Sequence, residues 1–121
     1  MKLTIGNDDI LAIKKKYGAG NAVAGYVEEG RLLPISFPLP KYYVMVLDER
    51  NLTLVETDMK FREKSSEVIP LDAISSVKVS TLMMRRLTVE ANGQTYKFLL
   101  RPLMPGIREE QNSLWQRLER L

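Results

Sequence analysis

The sequence predicts an α+β domain, mainly antiparallel β: a bent sandwich or partly open barrel of about seven strands, capped by a C-terminal α-helix and preceded by a short N-terminal helix. Three observations carry this expectation. Apolar residues recur at helical spacing only near the two ends, at Ile10, Ile13 and Tyr17 and again at Ile107, Leu114, Leu118 and Leu121. Between those ends, short extended runs follow one another, broken by polar or Gly- and Pro-containing stretches. No helical pattern separates the runs, so consecutive strands pair antiparallel rather than through helical crossovers. One domain is expected over residues 1–121, with strands between 22 and 100.

The first helix is expected over 7–17. Asn7 or Asp8 caps it, Asp8 and Asp9 suit its positive end, and Lys14, Lys15 and Lys16 suit its negative end. Gly18 and Gly20 then stop it. Ala22 to Val27 and Arg31 to Phe37 read as extended runs separated by a turn at Glu28-Glu29-Gly30. Phe37-Pro38-Leu39-Pro40 reads as an edge or crossing segment, because each proline removes a ladder donor.

Lys41 to Leu47 is the strongest strand signal, and Leu52 to Glu56 returns after the polar turn Asp48 to Asn51. Leu47 then faces Leu52, Met45 faces Leu54, and Val44 faces Val55. Both faces are apolar, which places this pair centrally. In the second hairpin, Leu87, Val89 and Ala91 alternate with polar residues up to Asn92-Gly93, a type I′ turn signal. Ala91 then pairs with Gln94, Val89 with Tyr96, and Leu87 with Phe98, and the apolar residues share one face. Glu67 to Ile74 reads as a short strand, a proline break and one helical turn, followed by a strand from Ser75 to Ser80 with Val77 and Val79 inward. The last helix is expected over 107–121, with Trp115 at the margin of its apolar face.

Composition narrows the chemistry. With 121 residues, 45% apolar and 27% charged, the chain is long enough to bury a core without metal or disulfide. It has no cysteine and no histidine, which excludes thiol nucleophiles, Cys/His zinc sites and histidine acid–base catalysis. A signal peptide is not expected, since acids follow closely on the first apolar residues. A cytoplasmic protein is expected. The net charge of +3 is mild, and nucleic acid is not expected as a partner.

Tyr43 to Val55 (YVMVLDERNLTLV) resembles the strand, T/D-x-R-L, strand hairpin of bacterial pleckstrin-homology-like domains. Glu67 to Val79 (EVIPLDAISSVKV) resembles the IPL-x-x-I-x-S-V segment of the same family. The resemblance covers roughly Lys41 to Leu121, with Asp48-Glu49 in place of the usual threonine-aspartate. It implies a curved seven-stranded sandwich capped by the last helix. It also implies a general interaction or assembly module. Phosphoinositide binding is disfavoured, because the loop that carries basic residues in lipid-binding members falls near acidic Glu28-Glu29.

Candidate functional residues are Leu82, Met83, Met84, Arg85 and Arg86. Three large apolar residues followed by two arginines suit a protein or self-association contact, shallow insertion at an anionic membrane, or a plug in the end of the barrel. Lys14 to Lys16, and Lys60, Arg62 and Lys64, read as solvated basic faces. Tyr42, Tyr43, Tyr96 and Phe98 read as core or sheet-face residues rather than a stacking platform. Pro102-Leu103-Met104-Pro105 reads as a linker. The carboxylate pairs Asp8-Asp9, Glu28-Glu29 and Glu109-Glu110 lack metal-loop spacing. No catalytic residue, metal ligand or cofactor is assigned. A non-catalytic interaction module is the expected function, with peripheral binding of anionic lipid as the alternative.

Overall fold

A computed structural model describes residues 7–29, 41–58, 62–81, 85–100 and 108–121. Helix α1 (Asn7–Tyr17) leads into β1 (Val23–Glu29), β2 (Tyr42–Leu47), β3 (Asn51–Thr57) and β4 (Glu63–Pro70). A 3₁₀ turn at Leu71–Ala73 precedes β5 (Ile74–Ser80), β6 (Arg85–Ala91), β7 (Gln94–Leu100) and α2 (Arg108–Glu119). All seven strands form one antiparallel sheet in the order β4-β3-β2-β1-β7-β6-β5. The sheet is not closed. No helix among the described residues is long and apolar enough to cross a membrane.

Both expected hairpins form in the expected register. Leu47 pairs with Leu52, Met45 with Leu54 and Val44 with Val55, while Ala91 pairs with Gln94, Val89 with Tyr96 and Leu87 with Phe98. Asn92 and Gly93 both take positive φ, 52° and 76°, as a type I′ turn demands.

Strand β2 is buried on both faces, and two cores result. Met45 and Leu47 point into the main core, with Val27, Leu52, Leu54, Leu87, Val89, Phe98 and Leu100. Leu114, Trp115 and Leu118 of α2 complete that core. Val44 and Val46 point the other way and, with Ala24 and Val55, are covered by Ile10 and Ile13 of α1. The N-terminal stripe therefore has a definite role, closing the outer face of β1–β3.

Helix α2 reaches β1 through a gap in the sheet. Strand β1 meets β7 only at Glu28 and Glu29, so the β7-side edge of its earlier residues needs other partners. Side chains of α2 supply them. Gln111 Oε1 accepts from the Tyr26 N–H at 2.6 Å, and Gln111 Nε2 donates to the Tyr26 carbonyl at 3.1 Å. The Ala24 N–H donates to Glu110 Oε2 at 3.3 Å, while Lys14 of α1 donates to Glu110 Oε1 at 2.8 Å. One carboxylate thus joins α1, β1 and α2.

Four expectations need correction. Glu28 and Glu29 lie in β1 rather than in a turn: they pair with Leu99 and Phe98, and the Glu29 N–H donates to the Lys41 carbonyl at 2.8 Å. Acidic pairs are depleted in strands, and this one lies where β1 passes from one half of the sheet to the other. Strand β4 begins at Glu63, because an edge strand with nearly every side chain exposed carries no alternating apolar signal. Trp115 is buried in the core, not marginal. Leu121 is 49% exposed, since the helix ends at Glu119 and its periodicity ends there too. The readings placed on Arg31–Phe37, Phe37–Pro40, Pro102–Pro105, Lys60 and Ile107 lie outside the described residues.

Candidate functional site

Of the five candidate residues, Leu82, Met83 and Met84 lie outside the described residues, in the connection from β5 to β6. Arg85 and Arg86 open β6 and have different surroundings. Arg85 donates through Nη1 to Asn112 Oδ1 at 2.9 Å, and its guanidinium lies 5.4 Å from the centre of the Trp115 ring. Its charge is committed to holding α2 against the sheet. Arg86 is exposed, on the other face of the strand.

Two lysines of the basic triplet are likewise engaged. Lys14 meets Glu110, and Lys16 donates to Glu63 Oε2 at 3.0 Å on β4. Tyr17 Oη donates to Glu63 as well. These contacts hold Glu63 below the usual carboxylate range, the tyrosine hydrogen bond being the largest cause.

Strands β4 and β5 form the two free edges of the sheet, and they differ in character. Strand β4 carries Glu63, Lys64, Glu67 and Pro70, and its pairing with β3 is interrupted at Glu56/Thr57. Charges, a proline and a bulge all discourage further pairing. On β5 the irregularity is confined to its start, between Ile74 and Ser76, where Ser75 Oγ donates to the Glu90 carbonyl at 3.1 Å. From Ser76 to Ser80 the strand runs regularly against β6 with one charge, Lys78. Val77 and Val79 pack toward the main core. Beside the start of this strand is a shallow groove of about 180 Å³, lined by Leu71, Ile74, Val77 and the exposed Leu121 together with Ser75 and Ser76.

A second concavity, of about 460 Å³, opens at the end of the sheet away from α2. Tyr43, Tyr96 and Phe98 line it, with Leu54, Glu29, Glu67, Thr95 and Lys97. The Tyr43 ring meets Phe98 edge-on at 5.8 Å, and Tyr96 lies nearly parallel to Phe98 at 6.5 Å. Tyr96 Oη donates to Glu67 Oε2 at 2.6 Å. That bond, with burial second, pushes the Tyr96 hydroxyl up to about 12. The Tyr43 hydroxyl is also raised, by burial first and then by Glu29, Glu56 and Glu67. Among the described residues, no group of three or more acidic side chains is placed to hold a metal ion.

One feature of these sites was open to a sequence reading. Ser76-Val77-Lys78-Val79-Ser80 alternates apolar and polar residues with one charge, the pattern of a half-buried strand. The Tyr96–Glu67 contact has no comparable signal, because it joins residues 29 positions apart across the sheet mouth. The chain matches no family model and no curated protein.

Proposed function

We propose that this protein is a pleckstrin-homology-like interaction module without catalytic chemistry, cytoplasmic, which assembles by pairing the free edge of β5 with that of a second copy. The observation that carries this reading is the contrast in side chains between the two edges: β4 carries Glu63, Lys64, Glu67 and Pro70, whereas β5 carries one lysine, each strand having one irregularity at its start. Main-chain hydrogen bonds supply affinity in strand addition, and alternate side chains supply specificity.

A two-fold axis makes the same patch meet itself. Antiparallel pairing centred on Val79 keeps Val77 and Val79 on the core side of both copies and sets Lys78 against Ser80 of the second copy. Like charges are then not opposed. Leu82, Met83 and Met84 follow this strand directly in sequence and belong to the same proposed contact. Support for the family assignment comes from the strand order, the terminal helix and the two motifs at Tyr43–Val55 and Glu67–Val79.

The anionic-lipid reading has less support, because Arg85 is engaged by Asn112 and Trp115. The test is light scattering over a concentration series. Val79→Lys points a charge inward from an edge strand and places two lysines at the axis, so it should abolish association while thermal unfolding stays cooperative. Met83→Asp with Met84→Asp should act in the same direction. Association unchanged by either variant would refute the proposal.

A further inference from the structure

We propose that the concavity at the end of the sheet away from α2 is a binding site for a cationic alkyl group, the protonated amine or guanidinium on a short aliphatic arm. This stands on residues separate from the β5 edge, and neither proposal depends on the other.

The shape and the lining both point this way. About 460 Å³ lies within the range of small-ligand clefts and accommodates an extended side chain or a short diamine. Its walls are the rings of Tyr43, Tyr96 and Phe98, in mutual contact through Phe98. Aromatic faces attract cations, and their apolar bodies accept the methylenes that carry them.

The charges at the mouth agree with the rings. Glu29 and Glu67 line it, whereas Glu56, near enough to act on the Tyr43 hydroxyl, is itself paired with Lys64 at 3.3 Å. Among the described residues Lys97 is the one cation in the lining. The Tyr96 hydroxyl holds Glu67 Oε2 at 2.6 Å, which orients that carboxylate beside the ring. Among the described residues Glu67 has no ion-pair partner. An anionic ligand would meet two lining carboxylates and gain only Lys97; a cation meets the reverse.

The ammonium end would then sit at Glu67, with its arm across Tyr96 and Phe98. The same chemistry is offered by a lysine side chain of a peptide and by a free diamine, and the experiment separates them. The full chain is titrated with n-butylammonium and with n-butanol, while the ring resonances of Tyr43, Tyr96 and Phe98 are followed by NMR. Butylammonium should shift them saturably and butanol should not.

N-acetyl-lysine-N-methylamide and 1,4-diaminobutane are then compared. The tighter of the two identifies the source of the cation. Glu67→Gln, at an exposed position, should keep the fold and weaken butylammonium binding about tenfold. Equal shifts with butanol, no shift with either probe, or undiminished binding by Glu67→Gln would overturn the proposal.

Discussion

Replacing Gly25 by alanine tests how α2 is seated. A Cβ at this position would lie 2.2 Å from Gln111 Oε1 and 2.6 Å from Leu114 Cδ2. Neither neighbour has room to withdraw. Leu114 is fully buried, and Gln111, 3% exposed, is held by its two hydrogen bonds to the Tyr26 backbone. Overpacking of this kind costs about 1–3 kcal/mol. If Gln111 moves aside instead, the part-buried N–H and carbonyl of Tyr26 lose their partner, at about 1–3 kcal/mol each.

The chain takes the cheaper of the two routes, so the expected loss for Gly25→Ala is about 1–3 kcal/mol, a substantial part of the roughly 5–15 kcal/mol that stabilises a domain. The backbone itself offers no resistance to alanine, since Gly25 is not among the residues with positive φ. Urea unfolding of Gly25→Ala, Gln111→Ala and the double variant forms a cycle. Truncating Gln111 removes the closest contact, so the double variant should lose at least about 1 kcal/mol less than the sum of the singles. A single-variant loss below about 1 kcal/mol, or strict additivity, would refute this account of the helix contact.

Ile10→Ala should cost about 2–5 kcal/mol in urea unfolding, because Ile10 is fully buried against the outer face of the sheet; a change of a few tenths would mean that α1 is dispensable. Asp48 should contribute to acid sensitivity. Burial alone would raise its carboxyl, but the N–H groups of Arg50, Asn51 and Ala19 together hold it below the ordinary value. With a depressed folded-state pKa, its contribution is complete above the unfolded carboxylate range and is lost as pH falls through the folded value. The stability gap between wild type and Asp48→Asn, measured from about pH 6 down to about pH 2, should narrow at the acid end; a constant gap would exclude this role.

Where burial alternates or a turn needs special backbone angles, the fold was legible in the residues. Both hairpin registers follow from one-sided or two-sided apolar patterns, and Asn92-Gly93 supplies the positive φ values for its turn. The Ile10, Ile13, Tyr17 stripe marked a helix with a face to bury, but nothing local says that the face it covers is the back of β2. Exposed β4 had no pattern to read. Gln111 looks like any polar helix residue, and its hydrogen bonds to Tyr26 arise only where β1 lacks a strand beside it.

The candidate contact was partly legible for the same reasons. An apolar tripeptide before two arginines stood out in the sequence, whereas the engagement of Arg85 by Trp115 depends on long-range packing. At the sheet mouth, Tyr43, Tyr96 and Phe98 read as ordinary strand aromatics. Their proximity to Glu29 and Glu67 comes from the strand order.

The most direct test of the proposed function is the molar mass of the full chain by light scattering over the concentration series, with Val79→Lys run in parallel. The account predicts a mass that rises with concentration from 13.9 kDa toward that of a dimer, and a variant that stays at 13.9 kDa. A wild-type chain that remains at 13.9 kDa throughout, or a variant that associates as the wild type does, would contradict it.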